Sequence, residues 1–140
     1  MLFVDSSAFI AYFISSDTNH DKTKELFDEI AEKELVTSQE IIDETLNWLT
    51  RKVPKKTYEL GNLLLSGDIA RILQTLKEDK VNALEIIKKY SDHSLSFTDA
   101  ISFTVIKRLK IKDVFSLDKD FNLLKVNNIF FSYYNQSLRL

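Results

Sequence analysis

The chain has no cysteine, one proline and two glycines among its 140 residues. Without cysteine there can be no disulfide framework, thiolate metal site, iron–sulfur cluster or cysteine nucleophile, a composition that suits a reducing compartment. Scarce proline and glycine leave little material for irregular connections, so short loops and long helices are expected. Gly61 and Gly67 match no phosphate-cradling spacing. The only histidines, His20 and His93, have no partner in sequence, and each reads as a surface or capping-region residue rather than a catalytic base. The longest apolar run, residues 8–14, is far short of the roughly 20 residues a membrane span needs. Met1-Leu2-Phe3-Val4-Asp5 has no basic stretch ahead of an apolar one and does not read as a secretory signal. A cytoplasmic, soluble protein is expected, with no membrane partner.

What is present is the material of one domain covering residues 1–140, with 44% hydrophobic and 29% charged residues. The net charge of −2 hides an asymmetry: residues 1–50 carry 11 acids against 3 lysines, and residues 51–140 carry 16 basic residues against 10 acids. Basic clusters stand at Arg51, Lys52, Lys55 and Lys56, and at Lys107, Arg108, Lys110 and Lys112. Such clusters can meet phosphates; taken one at a time, each can equally be a solvated helix end.

Hydrophobic patterning predicts strands at Leu2–Val4, 35–38 and 114–117, and a β-rich run over 128–134. Helical pattern covers 8–15, 19–34, 41–52, 58–65, 77–90 and 97–109. Strands alternating with helices imply an α/β fold, a three-layer α/β/α sandwich around a mostly parallel sheet. In such sheets the site lies beyond the carboxyl ends of the strands.

Acids fall where that rule points. Asp5 follows the first strand and Asp118 follows the run 114–117; each can also be a helix N-cap. Asp99 lies in a segment with Phe97, Ala100, Ile101, Phe103, Val105 and Ile106. A helix apolar on nearly every side is buried, and a buried carboxylate needs a partner or a metal; the alternative is a capping box with Ser96. At about 100° per residue, Glu44 lies about 40° from Trp48, at the edge of an apolar arc, whereas Glu40 and Asp43 point farther away. Carboxylates gathered together repel one another unless cations or protons intervene. Hard cations such as Mg²⁺ and Mn²⁺ prefer such oxygens and bridge to phosphates, and they generate a nucleophile from water without histidine or cysteine.

The blocks Leu2-Phe3-Val4-Asp5-Ser6-Ser7, Ser38-Gln39-Glu40-Ile41-Ile42-Asp43-Glu44, Ser96-Phe97-Thr98-Asp99-Ala100 and Phe115-Ser116-Leu117-Asp118-Lys119-Asp120-Phe121 resemble, in order and spacing, those of the PIN-domain family. The resemblance spans nearly the whole chain and is greatest to VapC-type toxins of toxin–antitoxin pairs. It implies a Mg²⁺- or Mn²⁺-dependent endoribonuclease, a homodimer, and a small cognate antitoxin. It also implies an acidic quartet of Asp5, Glu44, Asp99 and Asp118, with Asp5, Asp99 and Asp118 as metal ligands. Ser6, Ser7 and Ser116 are the hydroxyls placed beside those acids. Ser116 stands where the family often has threonine, and Asp120 is an alternative ligand to Asp118. RNA contacts are expected from Arg51, Lys52, Lys55 and Lys56, and a dimer contact from Trp48, Leu49, Tyr58, Leu63, Leu64 and Leu65. Other readings remain: a housekeeping RNA-processing nuclease, or an inactive PIN-like module binding RNA or protein. An aspartyl phosphotransferase with Asp5 as nucleophile wants a second Asp at position 7, where this chain has Ser7.

Overall fold

The computed structural model of the protein describes residues 1–132. Its elements run β1 (Leu2–Val4), α1 (Ser6–Phe13), α2 (His20–Glu29), β2 (Leu35–Ser38), α3 (Gln39–Lys52), α4 (Pro54–Leu65), β3 (Arg71–Leu73), α5 (Lys77–Lys89), α6 (Phe97–Arg108), β4 (Asp113–Phe115) and β5 (Asn127–Asn128), with a 3₁₀ turn at Lys119–Leu123. Five strands form one sheet in the order β3-β2-β1-β4-β5, and every pairing is parallel. The expected α/β fold with a mostly parallel sheet is therefore observed.

Strand order decides where the site can be. The chain steps from β1 to β2 to β3 in one direction, then returns past β1 to β4. Because β-crossover-β connections are right-handed, this reversal puts α1–α4 on one face and α5–α6 on the other. A sheet covered on both faces needs apolar strands, and residues 2–4 and 114–115 are fully buried. The reversal also opens a crevice between the carboxyl ends of β1 and β4.

Aromatic packing fixes the layers. Phe27 of α2 lies 4.9 Å from Phe115 of β4 and 6.5 Å from Phe9 of α1, while Phe103 of α6 meets Phe121 edge-on at 5.1 Å. Helix α6 is buried from Ala100 to Ile106, as its all-round apolar pattern predicts, although Phe97 at its start is exposed.

Several expected boundaries shift. Helix α2 stops at Glu29 instead of 34, since the chain must turn there to enter the sheet, where the Leu2 amide donates to the Glu34 carbonyl. The β-rich run at 128–134 is mostly not a strand. Pairing ends at Asn128, and residues 129–132 turn helical because a parallel edge strand needs only enough length to join β4. Phe130 is buried, in keeping with a core role, with Phe131 packed edge-on against it. Tyr133 and Tyr134 lie outside the described residues. Strand β3 carries no alternation over its three residues, and patterning missed it. The proposed dimer surface needs correction too: Leu49 and Leu64 are buried within the chain, Trp48 is half-buried, and only Tyr58, Leu63 and Leu65 are exposed.

Candidate active site

The site is built at the crevice that strand order opens. Asp5 leaves β1 as the N-cap of α1. Its Oδ2 accepts from the Ser7 hydroxyl at 2.7 Å and from the Ser116 hydroxyl at 2.8 Å. The capping reading of Asp5 is thus met. Ser7 Oγ also takes the Leu117 amide at 2.9 Å, and Ser116 Oγ takes the Asp118 amide at 3.0 Å. The two hydroxyls therefore staple the end of β4 to the start of α1. The other Asp5 oxygen, Oδ1, is buried and has no hydrogen-bond partner. A buried carboxylate oxygen left unpaired is costly unless something binds it.

Glu44 comes from the first turns of α3, which Ser38 caps by accepting the Ile41 amide. Its Oε2 takes the Ser6 hydroxyl at 2.6 Å, fixing the carboxylate at the rim. Asp99 stands in the first turn of α6. Ser96 caps that helix by accepting the Asp99 amide, so one half of the expected capping box is present. Carboxylate oxygens of Asp5, Glu44 and Asp99 lie within 4.8 Å of one another. Carboxylate oxygens of Asp99, Asp118 and Asp120 form a second trio, also within 4.8 Å of one another. Asp118 thus gathers with Asp120 around Asp99, and its Oδ1 accepts the Asp120 amide at 2.9 Å.

The electrostatics follow from this crowding. Burial raises the Asp5 carboxyl above its ordinary value against the pull of the Ser7 and Ser116 hydroxyls, and the Glu44 charge adds to the rise. Asp99 is pushed up to about 7, chiefly by burial and then by the charges of Asp5, Asp118 and Glu44. Crowding and burial thus raise the proton affinity of Asp5 and Asp99. A divalent cation would remove the penalty, and an all-oxygen donor set suits Mg²⁺ or Mn²⁺.

Beside the acids opens a cavity of about 400 Å³ lined by Glu40, Asp43, Glu44, Asn47, Arg51 and Thr98. Arg51 faces this cavity, while Lys52, Lys55 and Lys56 are exposed farther along α3 and α4. Glu40 is not a solvated bystander: it accepts from the Thr75 hydroxyl at 2.6 Å and stands 3.8 Å from Lys80. In the second basic cluster Arg108 is committed elsewhere, its Nε and Nη2 each donating to buried Asp79 at 2.9 Å. Neither histidine enters the crevice trios. His20 Nδ1 lies 2.9 Å from the Ala11 carbonyl, and His93 is near Asp92 and Tyr90.

The family model described as "PIN domain" matches residues 2–127. The chain belongs to the PIN-domain family. It is 26% identical over 124 residues to the "23S rRNA-specific endonuclease VapC20" of Mycobacterium tuberculosis, covering 87% of this chain and 92% of that protein. It is 27% identical to the "VapC ribonuclease" of Archaeoglobus fulgidus, over 97% of this chain and 88% of that one. The crystal structure of the Mycobacterium tuberculosis VapC20, described as a sarcin-ricin loop cleaving toxin, superposes with a TM-score of 0.80. It shares 24% identity and covers 90% of this chain and 98% of its own, a likeness that speaks for the fold.

One residue beside the acids escaped sequence reasoning. Asn128 on β5 is buried, donates its Nδ2 to the Ser116 carbonyl at 3.0 Å, and accepts the Ser116 amide on Oδ1 at 3.3 Å. It braces Ser116, and through it Asp5. The available signal was a buried-strand amide beside apolar Ile129 and Phe130.

Proposed function

We propose that this chain is a metal-dependent endoribonuclease that hydrolyses RNA phosphodiester bonds as the toxin of a toxin–antitoxin pair. Membership of the PIN family, shared with VapC ribonucleases, supports the nuclease class. The observation that carries the reading is the unpaired, buried Oδ1 of Asp5 beside Glu44 and Asp99 in the crevice.

Asp5, Glu44, Asp99 and Asp118 form the acidic quartet. Asp5, Asp99 and Asp118 would hold Mg²⁺ or Mn²⁺, with Glu44 at the rim and Asp120 as the alternative partner to Asp118. Such an ion supplies Lewis acidity and a low-pKa water for attack on phosphorus. Ser6, Ser7 and Ser116 aim the carboxylates by hydrogen bonds already in place. Arg51 meets RNA phosphate at the cavity, and Lys52, Lys55 and Lys56 extend that contact along the α3–α4 corner. The protein is cytoplasmic, a homodimer through the α3–α4 region, and controlled by a small antitoxin.

The test is cleavage of a structured RNA by the purified protein. Activity should require Mg²⁺ or Mn²⁺, stop with EDTA, and fall at least a hundredfold in Asp5→Asn and Asp99→Asn. Wild-type activity that survives EDTA would refute the metal role. Folded wild-type protein that binds the metal and cuts no RNA would refute the nuclease reading.

A further inference from the structure

A second concavity lies at the other end of α6 from the acids. Asp99 and Lys107 are separated by eight residues, roughly 12 Å of helix rise. The concavity, about 410 Å³, lies between the C-terminal parts of α5 and α6 and the segment 123–126. Its floor is aliphatic, drawn from Ile86, Ile106, Ile111, Leu123 and Val126. Its rim holds five exposed lysines, Lys89, Lys107, Lys110, Lys112 and Lys125, and no acid lines it among the described residues. None of the five forms an ion pair among the described residues. The neighbouring acid Asp113 accepts instead from Asn127 at 3.1 Å.

One of these lysines is held there against local preference. Helix α6 ends with the Ile111 amide on the Ile106 carbonyl and the Lys110 amide on the Lys107 carbonyl. This termination puts Lys110 at φ +54°, the left-handed position that glycine ordinarily fills. The chain keeps a charged side chain where backbone strain argues against any.

We propose that this groove receives an acidic, amphipathic segment of a partner protein, its aliphatic side chains on the floor and its carboxylates against the lysine rim. Apolar anchors in a groove with complementary rim charge are how helical segments are recognised. RNA fits less well: lysines can meet its phosphates, but its bases stack on exposed aromatic faces and the floor here is aliphatic. Among the described residues lining the groove, Phe103 is buried and Tyr90 is flanked by Lys89 and His93. The chain's last eight residues contain no acid and one arginine, the wrong charge for this rim. A second copy could offer its acidic α2, but Leu26 and Phe27 of that helix are already buried in its own core.

The test uses the full chain carrying Asp99→Asn, in EDTA, so that its outcome does not depend on the nuclease reading. The probe is a fluorescein-labelled helical peptide with leucine at i, i+3, i+4 and i+7 and glutamate on the remaining faces. Its charge-reversed twin carries lysine in place of glutamate. Anisotropy should show micromolar binding of the acidic peptide, weakened by salt and at least about tenfold tighter than the twin. The triple change Lys107→Glu, Lys112→Glu, Lys125→Glu alters only exposed side chains and should weaken binding about tenfold or more. Lys110→Gly should raise the melting temperature yet bind more weakly, separating docking from folding. Equal affinity for both peptides, indifference to the triple change, or no binding up to about 1 mM would overturn the proposal. Self-association that the triple change abolishes would overturn it in favour of a contact between copies. An RNA affinity lost in that variant, with no peptide binding, would do so in favour of nucleic acid.

Discussion

Asp99→Asn isolates the energetic consequence of the crowded acids. In metal-free protein the Asp99 carboxyl titrates near 7, against an ordinary value of 3.8. A difference of about three pH units corresponds to about 4 kcal/mol. Asp99 is partly exposed, so solvent screening lowers the expected figure to roughly 2–3 kcal/mol. The sign follows from proton counting. Between pH 4 and 7 the folded state holds a proton that the unfolded state has lost, so stability falls as pH rises through that window and levels off above it. Asparagine keeps the volume and cannot ionise. Wild type and variant should therefore be about equally stable near pH 4, and the variant should be more stable by roughly 2–3 kcal/mol at pH 8. For a chain of this size, that is about 6–10 °C in melting temperature. Some slope should persist in the variant, since the Asp5 carboxyl is also raised by burial. Calorimetry in EDTA from pH 4 to 8 measures both curves. Parallel curves, or a variant unfolded at every pH, would refute the assignment and make Asp99 a structural residue of α6.

A cation bound only by the folded state stabilises it by about 2.7 kcal/mol at 100 times its dissociation constant; Mn²⁺ should raise the wild-type melting point and leave the double variant Asp5→Asn, Asp99→Asn nearly unmoved. Arg108→Ala strands the buried Asp79 carboxylate, which Arg108 hydrogen bonds hold below its ordinary pKa, and should cost about 3 kcal/mol at neutral pH by denaturant titration. That loss should shrink in acid, as Asp79 takes up a proton. Cleaved RNA should end in 5′-phosphate and 3′-hydroxyl, because no histidine belongs to the acid trios to assist a 2′-hydroxyl attack; mass spectrometry finding a 2′,3′-cyclic phosphate would contradict this. Light scattering at micromolar concentration should give a dimer that Tyr58→Glu with Leu65→Glu, both at exposed positions, converts to monomer.

Much of the frame was legible in the residues alone. Apolar runs ending in acid or hydroxyl residues announced β1, β2 and β4 and the helix starts after them, because a buried parallel strand must be apolar and a helix start needs an oxygen to cap it. The all-round apolar pattern of α6 marked Asp99 as a carboxylate under pressure, and the helical angle of Glu44 distinguished it from exposed Asp43. Tertiary structure decided what local pattern cannot carry. Strand β3 and the brief β5 exist through pairing with β2 and β4, contacts some 35 and 14 residues away in sequence. Glu40 found Thr75 and Lys80, and Arg108 left the basic cluster for Asp79, because partners in space outrank neighbours in sequence. The grouping of the acids is of the same kind. Asp5 and Ser116 are 111 residues apart, and only the reversal of strand order at β1 brings them within one hydrogen bond, with Asn128 behind them.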